Sequence, residues 1–273
     1  MDLDSVDTVL MPRARAELPV WSEGSALLGG GTWLFSEPQP GIRRLVDLAA
    51  LGCENLAVDG EGLHIAGTCT IAALSRFTPP PEWRAGDLIG RCCEALLGSL
   101  KVWNAATVGG NICLALPAGP MIALAVALGG IATLWPPDGG ERRVPVADLV
   151  LGERRTALAD GEILRSVLLP LAALRPRFAL RKMSLTTLGL PAALAIGTRD
   201  QKGGFALTLP AATVRPIRLV FATPPSPAIL AARIERAVGR PGLWQEDIHG
   251  DRAWRRHLSL TFAEEIRQEL AVS

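Results

Sequence analysis

Residues 26–34 read ALLGGGTWL, a short apolar run followed at once by three glycines. The apolar run predicts a strand, and consecutive glycines let the chain turn sharply and bring its amides close to a ligand. Successive N–H groups in such a turn form a concave nest for phosphate oxygens, and Thr32 adds a hydroxyl donor. Taken alone, this run fits a structural turn as well as a ligand loop.

A second glycine motif lies further along the chain, where residues 107–111 read TVGGN. The amide of Asn111 can donate to a phosphate oxygen or brace the loop. Two such loops predict one ligand whose pyrophosphate is gripped from two sides. Neither loop contains Lys or Arg, so binding would rest on backbone dipoles. The glycine spacing matches neither the Rossmann fingerprint nor the P-loop.

Strand and helix signals are mixed along the whole chain, which favours an α+β fold over a regular βαβ series. Hairpins are predicted at 55–67, around an Asp-Gly-Glu-Gly turn, and at 131–146, around a PDGG turn. Period-two or continuous apolar runs predict further strands, and apolar residues at helical spacing predict helices. The predicted strands are 44–51, 162–170, 177–183, 191–198, 204–208 and 217–223, and the predicted helices start at Thr70 and cover 87–100, 226–238 and 253–270.

Composition excludes several classes of function. The 273 residues are 49% hydrophobic and 20% charged, which provides ample material for a core and excludes disorder for the bulk of the chain. A formal charge of +1 gives no global basic excess to attract nucleic acid. Three histidines are too few for a His-based metal centre or a Ser/His triad to be expected. We therefore assign no catalytic residue and no metal ligand.

The cysteines indicate the redox compartment. The five lie at positions 53, 69, 92, 93 and 113, none of them in a C-x-x-C pair. An odd number without that spacing favours buried, reduced thiols in a reducing compartment. The acidic start of the chain lacks the pattern of a signal peptide. We expect a cytoplasmic protein.

The stretch from Val102 to Pro137 contains no charged residue, a property it shares with membrane-spanning segments. A spanning helix requires about 20 apolar residues. Prolines at 117 and 120 and glycines at 129 and 130 leave a helix of about eight residues, MIALAVAL. A short helix that is apolar on all sides is typical of a protein core. We predict no membrane span.

Several motifs together resemble one family. Leu27–Leu34 is similar to the first flavin loop, and Ala106–Ile112 to the second, of the FAD-binding medium subunit of the molybdenum hydroxylases. The carbon monoxide, xanthine and nicotinate dehydrogenases are types of this family. The resemblance runs in order over about 25–260. It extends to Gly67–Thr70, Glu162–Leu164, 246–248 and 254–258.

The resemblance implies a fold and a division into domains. It implies a two-lobed FAD-binding domain of the vanillyl-alcohol-oxidase or PCMH type over 1–170, with lobes at about 1–52 and 53–170. A small α/β C-terminal domain would follow over 177–273. FAD would lie between the two lobes.

The resemblance also implies partners and a role in electron transfer. In such complexes a large subunit carries a molybdopterin cofactor and oxidises the substrate, and a small subunit carries two [2Fe-2S] clusters. The flavin subunit takes electrons from those clusters and passes them to an external acceptor. No nucleic acid is among the expected partners.

Cofactor-binding residues carry over position by position. Lys182 is the match for a basic residue after a strand, with Arg181 as the alternative register. The full set implied by the resemblance is Leu27, Leu28, Gly29, Gly30, Gly31, Thr32, Trp33, Leu34, Asn104, Thr107, Val108, Gly109, Gly110, Asn111, Leu164 and Lys182.

The sequence also departs from the family pattern. Pro120 stands where the family commonly has an Asp that helps to hold FAD. Trp103 replaces a usual Arg, and Trp33 replaces an acidic residue or Asn; packing is the favoured role for Trp33, with stacking near the flavin as the alternative.

Two other functions remain open at this stage. One is a flavin-free structural subunit of such a complex, which Pro120 supports. The other is a stand-alone flavin oxidase, which lacks a candidate base near the glycine motifs. Near the end of the chain, Arg252, Arg255 and Arg256 predict a solvated basic face, with a subunit contact as the alternative.

Overall fold

The computed structural model describes residues 3–187, 189–239 and 243–271. Helices and strands are mixed along the chain without a regular βαβ series, as the sequence predicts. The strands are β1 (Thr8–Leu10), β2 (Ser25–Leu28), β3 (Arg44–Asp47), β4 (Leu56–Val58), β5 (Gly62–Ala66), β6 (Ile131–Trp135), β7 (Arg142–Pro145), β8 (Val150–Gly152), β9 (Arg155–Thr156), β10 (Ile163–Pro170), β11 (Arg177–Ser184), β12 (Pro191–Arg199), β13 (Phe205–Leu209) and β14 (Ile217–Phe221). The α-helices are α1 (Ile71–Leu74), α2 (Asp87–Glu94), α3 (Leu100–Ala105), α4 (Val108–Leu114), α5 (Pro120–Ala127), α6 (Val146–Leu149), α7 (Leu171–Leu174), α8 (Pro227–Val238) and α9 (Arg252–Ala271).

The N-terminal sheet has three parallel strands in the order β1-β3-β2. The strand predicted from residue 26 ends at Leu28, so the glycines leave the sheet at once. The strand predicted over 44–51 ends at Asp47. The Asp47 carboxylate accepts a bond from the amide of Ala49, and this cap starts a 3₁₀ turn over Leu48–Leu51.

The second sheet is antiparallel, in the order β4-β5-β10-β6-β7. Both predicted hairpins are confirmed, as the pairs β4–β5 and β6–β7. Strand β10 lies at the centre, between β5 and β6. The helix predicted over 87–100 ends at Glu94, and Ser99 caps a separate helix, α3. Gly98 explains the break, since glycine is a poor helix former.

Helix α5 is confirmed as a short core helix. All eight of its residues, Pro120–Ala127, are buried. It packs against the helices α2, α4 and α6, and it also contacts strands β12 and β13 of the C-terminal sheet. Among the residues described, no helix combines the length and the apolar character that crossing a bilayer requires.

The C-terminal sheet has four strands in the order β11-β12-β13-β14, all antiparallel. Its elements match the predicted strands and helices within two residues. Antiparallel pairing places this unit in the α+β class in the strict sense rather than among parallel α/β folds.

Strand β12 is buried on both of its faces. Leu194 and Ile196 belong to the same buried cluster as α5, whereas Ala193 and Ala195 belong to the cluster formed with α8 and α9. Gly197 allows α9 to approach, because a Cβ there would overlap the side chain of Ile266. The C-terminal sheet therefore lies between helix α5 on one face and helices α8 and α9 on the other.

The predicted basic face is wrong for Arg255, which is buried. Its guanidinium donates to the carbonyl oxygens of Ala192 and Ala211, at 2.5 and 3.0 Å, and pairs with Asp247. Arg252 and Arg256 form ion pairs with Glu246 and Glu235. Arg255 thus ties α9 to strand β12 and to the segment after β13, because a buried guanidinium needs several acceptors.

All five cysteines are free thiols. Burial raises the pKa of Cys69 to about 11 and that of Cys93 to about 12, and it also raises the pKa of Cys92. These three thiols stay protonated at neutral pH. The prediction of buried cysteines is therefore confirmed for Cys69, Cys92 and Cys93, whereas Cys53 and Cys113 are only half-buried.

Candidate functional site

The first glycine motif lies against the start of the second. A Cβ on Gly30 would overlap the carbonyl oxygen of Ala105, and a Cβ on Gly29 would lie 2.8 Å from the hydroxyl of Thr107. Gly31 adopts a φ of +70°, which a side chain would strain. Only glycine at these positions lets the first motif lie against the residues that lead into the second.

The second motif is the start of a helix rather than an open loop. Thr107 caps α4, its hydroxyl accepting a bond of 3.0 Å from the amide of Gly110. The amides of 108–111 all have acceptors within the protein: Cys69 O for Val108, Gly67 O for Gly109, and Thr107 Oγ1 and O for Gly110 and Asn111. The glycines here provide close packing, and the expected nest of unbonded amides is absent from 108–111.

Close backbone packing explains why residue 109 is a glycine. The main chains at Gly109, Gly67 and Leu164 lie directly against one another. A Cβ on Gly109 would lie 2.6 Å from the carbonyl oxygen of Gly67, and a Cβ on Gly67 would overlap the carbonyl oxygen of Leu164. The Gly67 amide donates to Arg165 O at 2.8 Å. Helix α4 is therefore held against β10 through a bare glycine turn.

The side-chain oxygen of Asn111 bonds within the protein and holds the start of helix α5. Its side-chain oxygen accepts a bond of 3.0 Å from the amide of Met121, in the first turn of α5. The N-cap of α5 is Gly119, which has no capping side chain, and Pro120 occupies the first helical position. Asn111 thus caps α5 from a neighbouring helix.

A cavity of about 390 Å³ lies between the two motifs. Its volume is within the range of small-molecule sites. The whole first motif lines it, together with Thr107, Gly110 and Asn111 of the second. Apolar side chains complete the lining, at Leu96, Val102, Ala106, Cys113, Leu114 and Leu116.

Five residues of the predicted set lie outside this cavity. Asn104 is exposed on α3, and Val108 and Gly109 are buried in the packing of α4. Leu164 is 6% exposed and contributes its carbonyl to the backbone stack described above. Lys182 is exposed on β11, opposite Leu194.

The strand alternation distinguishes Lys182 from its alternative register, Arg181. Lys182 is on the same face of β11 as Phe178 and Leu180, which pack against the cluster that contains α5. Arg181 is on the opposite face and forms ion pairs of 2.8 and 2.7 Å with Glu265 and Glu269 of α9. The geometry favours Lys182 as the residue on the side of the glycine motifs.

A second cavity, of about 550 Å³, adjoins the first. The two share Leu96, Asn111 and Leu116, so together they form one elongated groove. The second cavity lies between residues 116–120 of the first unit and residues 245–249 of the C-terminal unit. Hereafter "the groove" means both cavities.

Trp33 lines the groove and also contacts a cation. The guanidinium of Arg154, in the turn between β8 and β9, lies 4.5 Å from the centre of a Trp33 ring. Such a stacked pair stabilises the position of the ring. The position of Trp33 is therefore compatible with both roles considered from the sequence, packing within the protein and stacking near a bound ligand. Trp103 instead donates its indole N–H to the carbonyl oxygen of Leu96, at 3.2 Å, and shapes the turn beside the groove.

Sequence reasoning missed several residues of the groove. The apolar side chains that line it carry no signal that separates them from core residues. Cys113 directly follows the second motif and does line the groove. Burial raises its pKa to about 12, so it presents a neutral thiol there. Arg154 has no sequence signal at all, because its partner Trp33 is far away along the chain.

The sequence matches the family described as "FAD binding domain in molybdopterin dehydrogenase" over residues 13–172. Among curated proteins, a xanthine dehydrogenase of Oryza sativa subsp. japonica is 34% identical over 121 residues, which are 42% of this chain and 9% of that protein. Xanthine dehydrogenase 1 of Arabidopsis thaliana is similar to the same extent. The chain therefore spans only a small part of these relatives.

Solved structures share the fold over almost the full chain. The Cu,Mo-CO dehydrogenase in its cyanide-inactivated form aligns with a TM-score of 0.82 and 21% identity, covering 99% of both chains. Quinoline 2-oxidoreductase from Pseudomonas putida 86 aligns with a TM-score of 0.77 and 20% identity, covering 99% of this chain and 98% of that one.

Proposed function

The chain belongs to the family of FAD-binding domains found in molybdopterin dehydrogenases, and from this we propose that it is the FAD-binding electron-transfer subunit of a heteromeric molybdenum hydroxylase. In this role it takes electrons from the [2Fe-2S] clusters of a small partner subunit and passes them to an external acceptor. Substrate oxidation belongs to a large molybdopterin-binding partner. The CO dehydrogenase and quinoline 2-oxidoreductase structures, which share the fold, support this assignment by analogy.

One observation carries the proposal: two glycine motifs touch each other and open onto one groove. A Cβ on Gly29 or Gly30 would overlap Thr107 or Ala105, so glycine at these positions is what brings the two motifs together at the edge of the groove. The first cavity of the groove, between the two motifs, is mostly apolar, with hydroxyl and amide groups at Thr32, Thr107 and Asn111. These residues fit a dinucleotide such as FAD.

In this proposal the first motif, Leu27–Leu34, holds the diphosphate, and the apolar lining excludes water from the ring system. Bound FAD supplies a carrier that exchanges electrons singly or in pairs. Leu164 supports the α4 turn from behind rather than lining the groove, and Lys182 lies on the face of β11 whose Phe178 and Leu180 pack against the core that contains α5. We retain the two-lobed PCMH-type architecture and the domain limits at 1–170 and 177–273 as part of the proposal.

A second candidate function is a flavin-free structural subunit with the same fold. Two observations favour it: Pro120 is buried where the family commonly has an Asp, and the amides of 108–111 already have protein acceptors. Against it stands the intact first motif, whose glycines open onto the groove rather than onto a filled core.

The decisive experiment is a visible absorption spectrum of the purified chain, followed by release and identification of the flavin. We expect flavin bands and about one FAD per chain, as for one nucleotide held in one groove. Reconstitution with excess FAD, with and without the two partner subunits, separates weak binding from none. No flavin under any of these conditions would leave the flavin-free subunit as the better assignment.

Electron transfer needs a separate test. The flavin-loaded chain, mixed with the small [2Fe-2S] subunit and the large subunit, should show bleaching of the flavin bands when substrate is added. The chain alone with the same substrate should show none. Bleaching in the chain alone would instead indicate a stand-alone oxidase.

A further inference from the structure

A further cavity lies between the N-terminal sheet and the second sheet, outside the groove. It has a volume of about 550 Å³, within the range of small-molecule sites. Part of its lining is apolar: Leu27 and Val46, which are paired on the neighbouring strands β2 and β3, and Ile163 at the start of β10. Two tryptophans, Trp21 and Trp135, also line it. We call this cavity the tryptophan pocket.

Three polar groups hold the ring of Trp135 in one orientation. Its indole N–H donates to Glu141 Oε1 at 2.7 Å. The guanidinium carbons of Arg15 and Arg165 lie 4.8 and 5.4 Å from the centre of a Trp135 ring. Such cation–π contacts stabilise the position of an aromatic ring. The part of the pocket formed by Trp135 and Arg15 is therefore organised before a ligand binds, which lowers the entropy cost of binding.

Trp21 is positioned by a glycine. Gly161 has a φ of +75°, and a Cβ at this position would lie 2.6 Å from the Trp21 ring. Glycine at 161 is thus what lets the indole pack against the main chain that leads into β10. The Trp21 side chain is only half-buried and lines the cavity, so part of its ring is available to a ligand.

The charged groups of the pocket are one guanidinium, of Arg15, and one carboxylate, of Asp138. Among the described residues neither forms an ion pair. One N–H of Arg15 donates to the carbonyl oxygen of Gly140, and its other N–H groups have no acceptor in the described part of the chain. An anionic ligand would be repelled by Asp138 and a cationic one by Arg15. The lining therefore favours an uncharged ligand whose oxygen atoms accept bonds from Arg15.

We propose that the tryptophan pocket binds an uncharged, planar aromatic ligand that carries carbonyl oxygens, the chemical class of the quinones. Its ring stacks against the Trp21 indole and the Arg15 guanidinium, since flat π systems stack on both groups. Its carbonyl oxygens accept bonds from the free N–H groups of Arg15. The apolar side chains of Leu27, Val46 and Ile163 remove the rest of the ring from water.

The tryptophan pocket adjoins the groove at Leu27, which lines both cavities. A quinone bound there is placed as an external electron acceptor, a role that rests on the function proposed above. In that role the quinone takes up the two electrons that the chain passes on, together with two protons from solvent, and it leaves as the quinol. The binding itself requires neither FAD nor a partner subunit.

Equilibrium dialysis of the full chain against 2,3-dimethyl-1,4-naphthoquinone, with and without saturating FAD, tests the proposal. Both ring positions that thiols attack are blocked in this quinone, so the free cysteines do not add to it. We expect saturable binding of about one quinone per chain in both states. The hydrocarbon 2,3-dimethylnaphthalene lacks the oxygens and should bind at least about tenfold more weakly, because it offers Arg15 no acceptor.

Variants of the lining locate the bound quinone. Trp21→Ala should weaken binding at least about tenfold, whereas Trp21→Phe keeps an aromatic ring and should keep most of the affinity. Arg15→Ala should weaken binding several-fold. Its matched control is Arg13→Ala, at an exposed arginine outside the lining, which should bind as the wild type does. The two arginine variants keep the test valid if Trp21→Ala does not fold.

Absence of quinone binding, equal binding of the hydrocarbon, or equal affinity of the wild type and all variants would overturn the proposal. Binding to the FAD-free chain alone would also overturn it, because the quinone would then occupy the groove. Flavin content is measured in the same samples. A chain that binds the quinone but never FAD contradicts only the function proposed above, and a chain that holds FAD but no quinone contradicts only the tryptophan pocket.

Discussion

The main-chain N–H of Arg154 donates to the carbonyl oxygen of Ala115 at 3.0 Å, and both residues have a φ of +52°. Elsewhere in the described chain, positive φ occurs only at glycines. Ala115 ends helix α4, which starts with the second glycine motif, and the Arg154 side chain stacks on Trp33 of the first. Two strained residues thus join both motifs, and such strain is typical of functional sites.

Relief of this strain should be measurable in Ala115→Gly. Glycine adopts the left-handed conformation without the clash of a Cβ, so we expect the free energy of unfolding to rise by about 1 kcal/mol. Urea denaturation of both proteins measures the change. The control is Ala123→Gly in the interior of α5, where glycine should destabilise by about 1 kcal/mol. A decrease for both variants would show that the Cβ of Ala115 matters more than its conformation.

The contact between Arg154 and Trp33 should affect cofactor retention. Replacement Arg154→Ala removes a cation–π contact worth about 0.5–1 kcal/mol, so we expect FAD to dissociate about two- to fivefold faster. Stopped-flow fluorescence of released flavin measures the rate. Arg155→Ala is the matched control, because Arg155 is an exposed neighbour that makes no such contact. An equal rate in both variants would contradict a role for the stacked pair.

The two glycines of the second motif should respond differently to substitution. A Cβ at Gly110 meets only the Thr107 hydroxyl, at 2.9 Å, so Gly110→Asp should fold, yet its charge would repel the diphosphate. We expect at least about a tenfold loss of FAD affinity. Gly109→Ala should instead lower stability by about 1–3 kcal/mol, because its Cβ meets the Gly67 backbone. Normal flavin content in folded Gly110→Asp would argue against the two-motif site.

Asn111 should stabilise α5 independently of the cofactor. Asn111→Ala removes the cap on the Met121 amide, and we expect a loss of about 1 kcal/mol in the unfolding free energy of the apoprotein. Asn111→Asp keeps the acceptor and should retain stability. Because it adds a negative charge to the groove, it should still weaken FAD binding. Equal stability of all three apoproteins, by thermal unfolding, would exclude the capping role.

Glu162 should make stability depend on pH. Its buried carboxylate accepts two bonds of 2.6 Å from Arg142, which lower its pKa below the 4.5 of an unperturbed glutamate. A lowered folded pKa means that the pair stabilises the protein above about pH 4.5 and that this contribution is lost as the pH falls further. Glu162→Gln should cost about 2 kcal/mol at pH 7 and progressively less below pH 4.5.

The matched control for this titration is Glu54→Gln, at an exposed position. Its unfolding free energy should follow the wild type at every pH. A constant difference between Glu162→Gln and the wild type from pH 7 to pH 3 would show that the ion pair is not the source of the effect.

Local periodicity predicted most elements because their signals lie within a few neighbouring residues. The two hairpins, the buried helix α5 and the C-terminal strands all have an apolar period or a turn of known type. The second glycine motif was harder, since two glycines argue against a helix. Its helix depends on the Thr107 cap and on packing against Gly67, which is a contact distant in sequence.

Contacts between distant residues could not be predicted from patterns alone. The three arginines near the start of α9 have the sequence pattern of a solvated face, yet Arg255 is buried. The carbonyl oxygens that accept its hydrogen bonds lie in strand β12 and in the segment after β13. The left-handed Arg154 has no sequence signature, because such a conformation is unusual for its residue type. The pairing of the two glycine motifs at one site was predicted from their residues and from the family resemblance, whereas the close contacts of Gly29 and Gly30 with Thr107 and Ala105 were not.

Helix α5 has a consequence for synthesis on the ribosome. One of its apolar sides is covered by Leu194 and Ile196 of β12, and it also contacts β13, which ends at Leu209. About 80 residues separate the helix from that strand, and at about 5–20 residues per second their translation takes roughly 4–16 seconds. During that time the nascent chain exposes the apolar side of α5 that β12 and β13 later cover. Its production in cells should therefore depend on chaperones that bind apolar segments as they emerge.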